Sequence, residues 1–435
     1  MIPHSKTAGA LTLRYLPTDR FKVGQLTLSM VLPIRSDLTP MTTLLLSVLR
    51  RGTERYPTLE AVNRRLDYLY GTELAIRNFY RGNLHIIGLC AELLDSSYLP
   101  GEDLCGDVLE VVEQMLFHPL TDEHGLLLEK YVESEKKLQC DAIRSLKNNP
   151  RVYASERMRE LTFANEDCGL PLWGTVEQIE AITPAQLTAH WKALIQTAPI
   201  ECFYVGSMDP DVLADRLART VGRAMQPLIE RPTLAPIASP IAARAEVQRV
   251  DETLEVGQSH LLLSFRSDTI VTMEGQAACA VYTELLGASP VSRLFMHVRE
   301  KLSLCYSCAS AYRPYKGTLR ISCGLHRDNR AAAEAEIHAQ MQSIADGCFT
   351  DAELEAAKKS LLNAMRQADD SPGALESFYF GRSILGSAES IDDYRAAIAR
   401  VDRAAIVAAA RGFTPHTVYF LCGTLSEEEP FDDEE

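Results

Sequence analysis

The sequence predicts an α+β protein made of two homologous halves, each a mainly antiparallel sheet with helices packed on one face. Three observations predict this class. Short motifs recur in the same order, strand patterns mix with long helical patterns in each half, and a proline-rich stretch separates the halves. The predicted boundaries are residues 1–228 for the N-terminal domain, 229–245 for a linker and 246–435 for the C-terminal domain.

The internal repeat is visible as three pairs of related segments. These are VGQLTLS at residues 23–29 with VGQSHLL at 256–262, FHPLTD at 117–122 with GCFTD at 347–351, and FYVG at 203–206 with FLCG at 420–423. A repeat this long indicates duplicated domains rather than a solenoid unit. Between the copies, residues 231–240 read RPTLAPIASP, and their prolines and small residues are typical of an extended linker.

The first half contains clear strand and helix signals. Thr39 can cap a helix that has Pro40 at its first position and that Gly52 ends, and Thr58 can cap the next helix. The predicted strands are Leu26–Leu32 and Asn83–Leu93, and further helices are predicted over Gly101–Phe117 and Thr121–Leu146.

The second half repeats this mixture. The predicted elements are a strand over Thr318–Cys323 and helices over Arg330–Ala345, Asp351–Gln367 and Ser371–Leu385. Leu286–Tyr306 is predicted to form a helix end, a small-residue turn, a second helix and the beginning of a strand. Pro290 suits the first position of that second helix, because its missing N–H would be unpaired there.

Composition narrows the class of protein. The chain has 435 residues, of which 46% are hydrophobic and 24% charged, as in soluble globular proteins. The net charge of -15 argues against nucleic acid and anionic membrane surfaces as partners. No apolar stretch has the length of a membrane span, the N-terminus lacks the apolar core of a signal peptide, and residues 427–435 form an acidic tail. We therefore expect a cytoplasmic protein.

The cysteine content also favours the cytoplasm. There are 11 of them, an odd number without the spacing of a disulfide framework, which favours buried thiols in a reducing cytosol. Cys305 and Cys308 are formally a C-x-x-C pair. They lie in a strand pattern with no second pair nearby, so a redox or metal role is not favoured there.

The stretch around Tyr306 resembles the C-terminal half-motif of the pitrilysin/insulinase/mitochondrial-processing-peptidase family. In that motif a small-residue turn precedes S-R-L-F, and R-E-K-x-x-L-x-Y-S follows. Residues 292–295 read SRLF and residues 299–307 read REKLSLCYS, so these two segments match the motif nearly residue for residue. The specific motif is confined to a stretch of about twenty-five residues. The resemblance implies two halves that face each other around a chamber. It also implies that Arg299 and Tyr306 bind the substrate peptide across from the zinc site.

Active members of that family carry H-x-x-E-H on the first helix of the N-terminal half, where two histidines bind zinc and the glutamate deprotonates the bound water. Counting back from the family's Gly-Thr landmark, here Gly52 and Thr53, places these positions at Thr43, Leu46 and Ser47. None of the three can perform its role.

The third zinc ligand of the family falls on a later helix. Its spacing from Glu129 points at Lys136, and a slip of one residue would place it on Glu135. One carboxylate would still not make a zinc site. No other constellation replaces the motif, because no two of the ten histidines have i, i+4 spacing and the motifs of serine, cysteine or lysine nucleophiles are absent.

The resemblance therefore implies a chain without the zinc half of the active site and with the substrate-binding half. The first hypothesis is the zinc-less, non-catalytic subunit of a heterodimeric zinc peptidase, with zinc bound by a homologous partner that carries H-x-x-E-H. The alternative is a non-enzymatic peptide-binding or scaffold protein of the same fold, as a homodimer for example. An enzyme acting alone through other chemistry is the third and least favoured hypothesis.

Overall fold

The computed structural model describes residues 2–8, 11–224, 238–267 and 272–425. Most of the predicted linker and the acidic tail at 427–435 lie outside these described residues. Within them, the fold is built on one sheet of six strands and one of five.

The six-stranded sheet belongs to the N-terminal half and the five-stranded sheet to the C-terminal half. In order of pairing they run β1-β2-β6-β3-β5-β4 and β7-β11-β8-β10-β9. Neighbours are antiparallel except for β2 with β6 and β7 with β11. The strands are β1 His4–Ala8, β2 Leu11–Pro17, β3 Val23–Pro33, β4 Leu74–Arg81, β5 Leu84–Leu94, β6 Ile200–Gly206, β7 Gln248–Leu254, β8 Ser259–Arg266, β9 Ser307–Arg313, β10 Thr318–Leu325 and β11 Thr414–Gly423.

Long helices accompany both sheets, which confirms the α+β class with two related halves. The α-helices are α1 Thr39–Leu49, α2 Leu59–Tyr68, α3 Leu104–Phe117, α4 Glu129–Ser145, α5 Pro150–Thr162, α6 Val176–Glu180, α7 Pro184–Thr197, α8 Pro210–Arg219, α9 Val221–Ala224, α10 Met273–Thr283, α11 Arg330–Ala345, α12 Asp351–Ala368, α13 Pro372–Ile384, α14 Ile391–Arg400 and α15 Arg403–Gly412. Two π-helical segments, Glu284–Ala288 and Phe295–Lys301, lie between α10 and β9.

Contacts divide the chain into two compact units, and each unit takes a helix from the other half of the sequence. Unit 1 comprises Met1–Arg144, Leu170–Ile237 and Arg366–Ile391. Unit 2 comprises Ser145–Gly169, Ala238–Met365 and Asp392–Glu435. Helix α5 therefore belongs with the second sheet and α13 with the first. The predicted domain ranges were drawn from the sequence repeat, not from contacts, and they remain a prediction about which segments are duplicated.

In unit 1 the central strand β3 is covered on both faces. Leu26, Leu28 and Met30 pack into the main hydrophobic core with α1 and α3. On the other face, the hydroxyl of Thr27 donates to the carboxylate of Glu376 on α13 at 3.0 Å. This second layer explains why β3 is buried along almost its whole length instead of alternating.

Unit 2 repeats the arrangement around β8. Leu261 and Leu263 lie in the main core, whereas Leu262 packs against Ala154 and Met158 of α5 on the other face. The sequence predicted helices on one face of each sheet. The structure adds one helix on the opposite face, from a segment distant in sequence.

Local signals set most helix boundaries. Thr58 caps α2 by accepting the N–H of Ala61 at 3.1 Å, as predicted. Ser371, predicted as the first residue of a helix, caps α13 by accepting the N–H of Ala374 at 3.2 Å. The predicted cap of α1 was wrong, because Thr39 is the first residue inside that helix and its N-cap, Leu38, makes no side-chain hydrogen bond. The prediction was wrong for α4, which begins at Glu129 rather than Thr121. The carboxylate of Asp122 accepts the N–H groups of two following residues, and this turn replaces the first helical turns.

Among the described residues, no helix combines the length and apolar character required to cross a bilayer.

Candidate functional site

The three positions that correspond to the zinc motif lie on α1. Thr43 is buried, and its hydroxyl makes two hydrogen bonds: it donates to the carbonyl of Leu172 at 3.0 Å and accepts from the side-chain amide of Asn78 at 3.2 Å. Leu46 is 2% exposed in the hydrophobic core. Ser47 is half-buried on the same helix. None of the three presents an imidazole or a carboxylate, so this helix offers a metal nothing to bind.

The position of the third ligand, on α4, is also committed to other partners. The ammonium of Lys136 donates to Glu133 at 2.8 Å and to the carbonyl of Ile182 at 2.9 Å. The neighbouring carboxylate of Glu135 forms an ion pair with Arg51. Either choice of alignment therefore gives a side chain that is already bound within unit 1.

The donor set does not fit zinc. In the ranges that the structure describes, no three His, Cys, Asp or Glu side chains are grouped so that they could hold a metal ion. The described residues therefore offer no set of ligands that could hold a zinc-bound water.

A hydrogen-bonded network lies where the first ligand would stand. Nε2 of His85 is 2.7 Å from the amide oxygen of Asn78, whose nitrogen donates to Thr43. Tyr80 contacts the imidazole edge-on, with ring centroids 5.6 Å apart. Burial lowers the pKa of His85 to about 4, so the ring is neutral at pH 7. This network gives the buried polar side chains of His85, Asn78 and Thr43 hydrogen-bond partners without a metal.

The predicted substrate-binding positions lie in unit 2, on the segment between α10 and β9. Pro290 lies in the turn, and the second helix begins at Arg293, so the prediction that Pro290 opens that helix was wrong. That helix continues as the π-helical segment that carries Arg299. π-Helical turns are rare and are found frequently at functional sites.

The chain reverses directly after this helix. Ser303 has φ of +50°, in the left-handed region that residues other than glycine seldom adopt. The N–H of Leu304 donates to the carbonyl of Val298 at 2.9 Å, and the N–H of Tyr306 donates to the carbonyl of Gly324 at 2.8 Å. The reversal thereby returns Tyr306 to the side of Arg299.

Arg299 and Tyr306 line the same open cavity, of about 450 Å³. His326 and Asn329 line it from the loop after β10, and the amide of Asn329 donates to the carbonyl of Leu304 at 3.2 Å. The side chain of Arg299 is 45% exposed and that of Tyr306 is exposed as well. The structure thus brings both predicted residues together, and it adds two polar residues that the sequence motif did not indicate.

The charge of Arg299 is only weakly neutralised within unit 2. Its Nε lies 3.7 Å from the carboxylate of Glu300, and its guanidinium stacks over the ring of Phe295 at 4.8 Å. An exposed pair at this distance contributes little, about 0–1 kcal/mol. The guanidinium is therefore available to a carbonyl or carboxylate group that enters the cavity.

Comparison with known proteins places these features in context. Residues 181–361 match the model described as the peptidase M16 inactive domain. The probable inactive metalloprotease YmfF of Bacillus subtilis (strain 168) is 26% identical over 418 residues, which cover 96% of each chain.

Two solved structures resemble the whole chain. A conserved protein from Enterococcus faecalis V583 has a TM-score of 0.89 at 22% identity, covering 98% of this chain and 100% of that one. A peptidase M16 inactive domain from Pseudomonas fluorescens has a TM-score of 0.78 at 16% identity, covering 99% and 100%. At these identities the likeness concerns the fold.

Proposed function

We propose that this chain, an inactive homologue of the M16 peptidase family, serves as the zinc-less subunit of a heterodimeric zinc peptidase. In this proposal a homologous partner that carries H-x-x-E-H supplies the metal and the catalytic glutamate. Arg299 and Tyr306 of this chain hold the substrate peptide against that site. The observation that carries the proposal is the cavity that Arg299 and Tyr306 share in unit 2. Separately, the zinc-motif positions of unit 1, Thr43, Leu46 and Ser47, present no imidazole or carboxylate.

The chemistry of the two side chains suits this role. A guanidinium presents several N–H donors in a fixed plane and can hold a peptide carbonyl or a terminal carboxylate. A phenol can donate to the oxyanion that develops when water attacks the scissile carbonyl. Both groups act from the side opposite the metal, so a separate chain can provide them.

The first test is co-purification of the tagged full-length chain from its native cells. We expect a one-to-one partner of similar size that carries H-x-x-E-H, with zinc bound in the partner. Recovery of a zinc-free homo-oligomer that binds peptide without turnover would favour the non-enzymatic peptide-binding or scaffold function instead. Activity of the isolated chain that survives repeated purification would favour an independent enzyme.

The second test uses the reconstituted complex. Loss of a hydrogen bond to a charged group costs about 1.5–3 kcal/mol, so Arg299→Ala should lower kcat/KM roughly 10- to 150-fold. Tyr306→Phe, which removes only the donor, should lower kcat by about 10²–10³. Lys301→Ala is the matched control, because Lys301 is an exposed cation on the same segment that does not line the cavity.

The comparison of these three variants decides the assignment. If Arg299→Ala and Lys301→Ala have equal kinetics, Arg299 does not contact the substrate. If Tyr306→Phe changes KM alone, Tyr306 binds the ground state and does not stabilise the oxyanion.

A further inference from the structure

Three cysteines meet beneath the cavity of Arg299 and Tyr306. Cys308 on β9 and Cys323 on β10 are direct partners in the antiparallel pairing, and Cys305 lies two residues before β9. All three are buried in the core of unit 2. Directly opposed residues of antiparallel strands have Cα atoms about 4.5–5.5 Å apart, within the range that a disulfide spans. The sequence motif gave only Cys305 and Cys308; the facing strand supplies Cys323.

Cys305 differs from the other two in its access to solvent. It lines the open cavity, whereas Cys308 and Cys323 are not among the lining residues. A small uncharged oxidant in the cavity therefore reaches Cys305 first, and the other two thiols stand behind it.

The contacts of the three thiols also distinguish Cys305. Hydrogen bonds from Cys308 and then Cys323 lower the pKa of the Cys305 thiol, and the charge of Arg299 acts in the same direction. The same contacts raise the pKa of Cys308 and of Cys323. These contacts favour the thiolate form at Cys305 over the other two thiols.

We propose that Cys305, Cys308 and Cys323 form a peroxide-sensitive thiol site, in which Cys305 is oxidised and then cross-linked to one of the other two. In the first step the Cys305 thiolate attacks one oxygen of hydrogen peroxide. The S–O bond forms, the O–O bond breaks, and hydroxide leaves and takes up a proton to become water. The product is a sulfenic acid at Cys305.

In the second step a neighbouring thiol attacks the sulfenic sulfur. The S–S bond forms, the S–O bond breaks, and the oxygen leaves as water with the proton of the attacking thiol. Two thiols have then lost two electrons to one peroxide molecule. The cross-link restrains the segment that contains Tyr306, next to Arg299. The chemical step is independent of the proposed function, whereas any effect on a bound peptide rests on it.

The test treats the reduced full-length chain with a few equivalents of hydrogen peroxide, blocks the remaining thiols and maps peptides without reduction. Cys305 and Cys308 share the tryptic peptide 302–316, and Cys323 lies in 321–327. We expect a dithiothreitol-reversible disulfide within the first peptide or between the two. Dimedone, added during the reaction, should trap the sulfenic acid on Cys305.

Two variants complete the experiment. Cys305→Ser should slow the cross-linking at least about tenfold, because the remaining two thiols do not line the cavity. Cys348→Ser is the control, because Cys348 is an exposed cysteine elsewhere in unit 2. Oxidation of Cys348 with no disulfide among the three cysteines would overturn the proposal. A wild-type rate in Cys305→Ser, or dimedone on Cys308 or Cys323 instead, would also overturn it.

Discussion

The buried ion pair that joins α13 to the first sheet gives the sharpest prediction about stability. Arg77 on β4 donates to both carboxylate oxygens of Glu376 on α13, at 2.8 and 3.1 Å. The side chains are 13% and 2% exposed. The Thr27 hydroxyl also donates to this carboxylate, so the pair is well satisfied as long as both partners are present.

Replacing Glu376 by leucine leaves the guanidinium of Arg77 buried without its counter-charge. Breaking a buried pair in this way costs about 3–5 kcal/mol. For a folding unit of this size each kcal/mol lowers Tm by about 2–4 °C, so we expect a decrease of roughly 6–20 °C. The double variant Arg77→Met/Glu376→Leu should recover most of the loss, because replacing both charges by apolar groups is often close to neutral.

Urea unfolding followed by tryptophan fluorescence measures this effect in the relevant unit. The two tryptophans of the chain, Trp173 and Trp191, both lie in unit 1. A loss below about 1 kcal/mol in Glu376→Leu would refute a buried, uncompensated charge. A double variant whose loss equals the sum of the two single losses would show that the two side chains are not coupled.

Three further predictions concern other parts of the fold. Burial lowers the pKa of His85 to about 4, so its contribution to stability is complete above pH 6.5 and falls by about 3 kcal/mol toward pH 4. His85→Gln should reduce this loss of unfolding free energy in denaturation curves measured from pH 7 to pH 4. Desolvation raises the carboxyl pKa of Glu252, but the hydrogen bond and charge of Arg157 outweigh it and lower this pKa overall. Because the pair is partly exposed, Arg157→Met should lower the unfolding free energy by only about 1 kcal/mol at pH 7. The difference between variant and wild type should shrink below pH 4, where the carboxylate of the wild type becomes protonated. Ser371→Ala removes the cap of α13 and should lower the unfolding free energy by about 1 kcal/mol, whereas Ser371→Gly should cost only a few tenths.

Much of the fold was predictable because its signals are local. The caps at Thr58 and Ser371 lie beside the helices that they begin, and α11 has the predicted bounds Arg330–Ala345. The start of α4 was missed, although Asp122 and Gly125 carry a turn signal. Gly125 takes φ of +72°, and a helical pattern later in the segment obscured the turn.

Sequence patterns did not predict which sheet α5 and α13 pack against. Both helices have residues that pack on a sheet formed by a distant segment, and periodicity shows which face is apolar without showing what covers it. Leu262 and Thr27, on the second faces of β8 and β3, were the available hints. A strand buried on both faces requires a second layer, and the strand pattern indicates that requirement without identifying the helix.

The parts of the site that lie in one contiguous motif could be predicted from the sequence, and the parts from other segments could not. Arg299 and Tyr306 lie seven residues apart, and one reversal of the chain suffices to bring them to one cavity. His326 and Asn329 reach that cavity through the pairing of β9 with β10, as Cys323 reaches Cys308. Strand register decides such neighbours, and it is set by tertiary packing rather than by spacing in the sequence.

An exposed arginine and an exposed tyrosine have little effect on the stability of the fold, so their presence alone is weak support for a function. The backbone that presents them is a stronger argument. Arg299 lies in a π-helical segment, and Ser303 holds a left-handed conformation that costs on the order of 1–3 kcal/mol for a residue other than glycine. Glycine at position 303 would relieve that strain without changing the core. A strained reversal that brings two polar side chains to one cavity is therefore better explained by a ligand for that cavity than by packing.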